Sequence, residues 1–126
     1  MAQPADLLYS KEHEWVKVDG DVATVGITDY AQNSLGDIVY VELPKAGAKV
    51  AQMGTVGVVE SVKAVSDLFT PVGGEVTEVN GELENDPALV NREPFAGGWM
   101  FKVRLSDASQ TSGLLSAADY EKLTQE

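Results

Sequence analysis

The sequence predicts an all-β fold with a few short helices. Three observations carry this. Branched and aromatic residues fall in short runs, several of them alternating with polar residues. Turn-forming pairs, Asp19-Gly20, Gly73-Gly74 and Asn80-Gly81, punctuate those runs. Helical spacing is confined to brief stretches after Thr28 and in the tail. At 126 residues the chain is most simply one domain, residues 1–126, with a β core over about 8–105 and a helical tail over about 107–126.

The elements follow in order. Leu7 to Ser10 reads as an edge strand, and Glu14-Trp-Val-Lys-Val18 and Asp21 to Ile27 as two strands joined at Asp19-Gly20. Thr28 is placed to cap a helix over Asp29–Leu35, with Asp29 favourable in its first turn and Gly36 at its end. Ile38 to Leu43 is a strand that Pro44 stops. Lys49 to Gln52 forms a short strand before a turn at Met53-Gly54. Thr55 to Pro71 then reads as a β-hairpin with Lys63 at its tip. Glu75 to Val79 alternates as a half-buried strand. Glu82 to Val90 is acidic, contains Asp86-Pro87, and predicts irregular structure with one helical turn. Trp99 to Leu105 is the last strand, with Lys102 and Arg104 on one face. A helical turn near Ala108–Ser112 and a helix over Ala117–Thr124, preceded by Ser116, complete the chain. Gly36-Asp-Ile-Val-Tyr-Val41 and Gly74-Glu-Val-Thr-Glu-Val79 echo one another on either side of the hairpin, as two similar β halves would.

Composition removes several functions. The chain has no cysteine, which excludes disulfides, thiolate metal sites and cysteine nucleophiles. A net charge of −11 opposes binding to nucleic acid or anionic lipid and favours basic partner surfaces. No apolar run reaches the ~20 residues of a membrane helix. The opening Met-Ala-Gln-Pro-Ala-Asp has neither secretory nor transit character, so the expected location is the bacterial cytoplasm, or the mitochondrial matrix for a eukaryotic mature form. His13 is the only histidine, and its Lys11-Glu-His-Glu-Trp15 setting lacks the His-Glu-x-x-His zinc spacing. The acids Glu82, Glu84 and Asp86 lack an EF-hand pattern and read as a solvated loop.

Lys63 is chemically isolated. From Val50 to Asn91 it is the only basic residue, among Glu60, Asp67, Glu75, Glu78, Glu82, Glu84 and Asp86. A solitary amine on a projecting turn is a handle for covalent attachment, although exposed turn lysines are also common without any such role. No sequence neighbour is an obvious base, so attachment requires a separate enzyme with an activated acyl donor.

The segment Glu60-Ser-Val-Lys-Ala-Val-Ser-Asp67, with Pro71 and Gly74-Glu-Val76, resembles the lipoyl-lysine segment of glycine cleavage system H proteins. His13-Glu-Trp-Val16, Val25-Gly-Ile-Thr-Asp29, Ala31-Gln32, Leu35-Gly36, Val41-Glu-Leu-Pro44, Glu78-Val-Asn80 and Gly98-Trp99 fit the same family in the same order, from about Leu8 to the end. The resemblance implies a barrel-sandwich hybrid, lipoyl-domain-like fold and N6-lipoyllysine at Lys63. It implies a non-catalytic shuttle with three partner enzymes. Glycine decarboxylase, the P-protein, loads an aminomethyl group on the arm. Aminomethyltransferase, the T-protein, unloads it to tetrahydrofolate, and dihydrolipoyl dehydrogenase, the L-protein, reoxidises the dithiol. A lipoyl- or octanoyl-transferring enzyme would install the arm. Polar residues matching family positions near the arm are Glu14 and Asp67, then Glu12 and Ser34, where this chain departs from the family pattern. Together they would form a cleft for the ammonium of the carried group. Glu14 also reads as a solvated strand acid.

Other readings stay open. Biotin carriers place methionine on both sides of the lysine, unlike Val62 and Ala64 here. Lipoyl domains of 2-oxoacid dehydrogenases usually show Asp-Lys-Ala and lack the His-Glu-Trp and Gly-Trp signatures. An unmodified adaptor and a lipoate-relay protein that donates its arm are the remaining alternatives.

Overall fold

The computed structural model describes residues 6–124. Residues 1–5 of the opening and the last two residues of the expected tail lie outside the described residues. The strands are β1 Leu8–Tyr9, β2 Glu14–Asp19, β3 Val22–Ile27, β4 Ile38–Glu42, β5 Lys49–Val50, β6 Thr55–Ser61, β7 Val65–Phe69, β8 Gly74–Val79 and β9 Phe101–Leu105. The helices are α1 Asp29–Leu35, α2 Glu82–Asn85, α3 Leu89–Arg92 and α4 Ala117–Thr124, with a 3-10 turn over Ala108–Gly113.

Two sheets result. One has six strands in the order β1-β2-β3-β9-β8-β5, and the other has three in the order β4-β6-β7. All pairings are antiparallel. Register aligns Leu8, Val16, Val25, Phe101 and Val79 across five strands of the larger sheet. These meet Ile38, Val41, Val59 and Leu68 of the smaller sheet in one apolar core. Burying a side chain of that size contributes about 1.5–3 kcal/mol. A second cluster lies on the other face of β2, where Leu7, Tyr9, Trp15 and Tyr120 pack together under α4. Tyr9 and Tyr120 stack with ring centroids 4.9 Å apart. Trp15 donates its indole N–H to the Pro94 carbonyl at 2.7 Å, and Trp99 lies beneath the Lys102 ammonium. Both tryptophans are thus core or rim residues.

The local signals in the sequence act where they stand. Thr28 Oγ1 accepts from the Ala31 amide, and Gly36, with φ +83°, closes α1 through its N–H to Gln32. The first hairpin turn sits one residue later than the Asp19-Gly20 expectation. Asp19 pairs with Val22, leaving Gly20-Asp21 as the loop, with Gly20 at φ +66°. Glycine at the first loop position suits the twist of the flanking strands. The Glu82–Val90 stretch is more helical than expected. It holds two helices separated at Asp86-Pro87, and Leu83, Leu89 and Val90 are buried. Tertiary burial of those three side chains offsets the poor local propensity. The echoing segments lie in opposite sheets, with Ile38 and Val76 at equivalent places in the shared core.

Candidate functional site

Lys63 stands at the turn between β6 and β7 and is exposed. The backbone beneath it is held by Ser61. Its N–H donates to the Ala64 carbonyl at 2.8 Å, and its Oγ accepts from the amides of Lys63 (3.3 Å) and Ala64 (3.0 Å). The Val62 amide donates to Asp37 O at 3.0 Å, tying the tip to the start of β4. The lysine stem leans on Gly36, where an added Cβ would lie 3.5 Å from Lys63 Cε. Asn91 of α3 fixes that support. Its Oδ1 accepts from the Ile38 amide at 2.9 Å, and its Nδ2 donates to Gly36 O and Gln32 Oε1. Sequence reading missed Asn91, because its partners lie more than fifty residues away.

Beside α1 is a cleft of about 320 Å³, lined among others by Glu12, His13, Tyr30, Ser34 and Ser66. It brings together two of the expected residues, Glu12 and Ser34. Glu14 and Asp67 are not among its lining residues. Glu14 is 2 % exposed, so the solvated-acid reading does not hold. Ser10 Oγ donates to Glu14 Oε1 at 2.6 Å, and a backbone hydrogen bond from Phe69 of the opposite sheet also favours its charged form. Burial nevertheless dominates and pushes the carboxyl up to about 8. Asp67 pairs with Val58 and is exposed on the face of β7 opposite to Ser66.

His13 also lines the cleft, a role that sequence reading did not assign to it. It adopts φ +69°, rare for a residue with a side chain. Its ring packs on Tyr30, and its Nδ1 lies 2.8 Å from the Tyr120 hydroxyl, which also meets Thr28 Oγ1 at 2.7 Å. Burial lowers its pKa, with Glu12 opposing, which favours the neutral ring. The His-Glu-Trp motif flagged this position, but its link to the tail helix is tertiary. Among the described residues no cluster of three or more His, Cys, Asp or Glu could hold a metal ion, and no helix is long and apolar enough to cross a membrane.

The sequence matches the family described as glycine cleavage H-protein over residues 7–126. The chain belongs to that family. It is 55 % identical over 123 residues to the glycine cleavage system H protein of Carboxydothermus hydrogenoformans, covering 98 % of this chain and 95 % of the relative. Against the H protein of Halothermothrix orenii it is 53 % identical over 126 residues, covering 100 % and 98 %. The crystal structure of a glycine cleavage system H protein from Mycobacterium marinum superposes with a TM-score of 0.91 at 36 % identity, covering 98 % of this chain and all of that one. The all-β barrel-sandwich expectation therefore holds for the fold of an H-protein family member.

Proposed function

We propose that this chain is the lipoyl-bearing shuttle of the glycine cleavage system, with lipoate in amide linkage to Lys63. The observation that carries the reading is the exposed lysine on a turn whose backbone is tied by Ser61 and Asp37. A rigid base with a projecting amine is what a swinging arm and the enzyme that installs it both need. The residues fit the group: Lys63 is exposed, and a cleft lined by Glu12, Ser34 and Ser66 among others opens beside α1. Lipoate supplies a disulfide that accepts an aminomethyl unit and is regenerated by oxidation.

This chain's own residues bind and shelter. Glu12, Ser34 and Ser66 offer oxygen acceptors in the cleft to a cationic group. Glu14 is buried outside the cleft lining, and burial keeps its carboxyl protonated at neutral pH, so it ionises only where a cation comes close enough to offset that burial. The reading makes the chain a non-catalytic carrier in the bacterial cytoplasm, residues 1–126 forming one lipoyl-carrier domain. Its partners are the P-, T- and L-proteins and the acyl-transferring enzyme.

Intact mass and peptide mapping of protein from its native host test the attachment. A lipoyl adduct on Lys63 is expected, and its absence, or a biotinyl adduct, overturns the reading. Glycine–bicarbonate exchange with a P-protein then separates glycine cleavage from lipoate relay, and Lys63→Arg should abolish it.

A further inference from the structure

The outer face of the three-stranded sheet carries more exposed apolar surface than its sequence pattern requires. Strict alternation along β4 would turn Tyr40 inward with Ile38. Instead the register shifts between Ile38 and Tyr40, and this bulge directs both Val39 and Tyr40 outward while Val41 turns in. Val39 is 53 % exposed, Tyr40 50 %, Val62 69 % and Val65 67 %. Register sets Tyr40, Glu60 and Val65 in one row across the sheet and Glu42, Val58 and Asp67 in the next. The valines at 62 and 65 flank Lys63, so the patch is continuous with the hairpin tip. Among the described residues, Glu42, Glu60 and Asp67 make no ion pair.

We infer that this face is the surface on which the enzyme that acylates Lys63 docks, through an apolar contact flanked by lysine or arginine side chains. The inference rests on the reading of Lys63 as the acyl-bearing residue. Chemistry selects this partner. The neutral Lys63 amine must attack the acyl carbon of a bound thioester. The N–C bond forms as the C–S bond breaks, and the amine proton leaves with the thiolate. An enzyme that takes the amine into its active site must cover Val62 and Val65, and the bulge extends that contact to Val39 and Tyr40. The unpaired acids select its charge, and the net charge of −11 draws it in.

The test follows acylation of the unmodified full chain by a purified octanoyl- or lipoyl-transferring enzyme and its acyl thioester, read by mass at Lys63. Val39→Thr with Tyr40→Thr should lower kcat/KM about tenfold while kcat at saturation stays within about twofold. Glu42→Gln with Asp67→Asn should lower kcat/KM at low salt and flatten its salt dependence. Val18→Thr, an equally apolar exposed position on the other sheet, serves as control and should match the wild type. Thermal unfolding of each variant establishes that the fold is intact. Wild-type acylation with both double variants matching it at every salt concentration overturns the docking face. No adduct on wild-type Lys63 overturns the carrier reading itself.

Discussion

Replacing Glu14 with Gln should change how stability depends on pH. In the unfolded chain this carboxyl titrates near its ordinary value of 4.5, whereas in the fold burial holds the proton until about pH 8. Between those values the native state binds more protons than the unfolded state, so stability falls as pH rises. The contribution is intact below pH 4.5 and fully lost above pH 8. That interval, at about 1.4 kcal/mol per pH unit, bounds the loss at about 5 kcal/mol. Relaxation around the charged carboxylate brings the expected loss to about 2–3 kcal/mol. Gln keeps an oxygen for the Ser10 hydroxyl and does not titrate. Urea unfolding of wild type and Glu14→Gln from pH 5 to 9 isolates the effect, because the other groups titrate alike in both proteins. The variant should gain about 2–3 kcal/mol on the wild type across that range. A difference that stays constant with pH would refute the assignment of a buried, proton-holding Glu14.

Three further outcomes are expected. Ser61→Ala removes the acceptor for two tip amides, so hydrogen exchange at Lys63 and Ala64 should quicken, with a stability loss of about 1 kcal/mol by urea titration. Asn91→Ala breaks three hydrogen bonds joining α1, β4 and α3 and should cost about 2–3 kcal/mol, measured the same way. A Cβ on Gly57 would overlap the Glu42 carbonyl oxygen, so Gly57→Ala should part β4 from β6 and lower stability by about 1–3 kcal/mol, with loss of amide protection in β4.

Much of the fold was legible because its signals are local. Thr28 and Gly36 bound α1 through bonds spanning three or four residues, and branched runs between turn pairs mark the strands. Lys63 at the tip follows from that punctuation alone. The same local rules misplaced the Gly20-Asp21 turn by one residue, since register belongs to both strands of a pair. They also underestimated α2 and α3, whose apolar residues form helix because the core receives them.

By itself the sequence determined the order of elements, the family, and one isolated lysine on a projecting turn, all properties of neighbours along the chain. Tertiary structure alone decided that Glu14 is buried, that Asp67 faces away from Ser66, that His13 meets Tyr120, and that a bulge turns Tyr40 outward. The physical reason is that burial and facing depend on register and on segments that pack from far along the chain, and neither leaves a periodic trace at the residue itself.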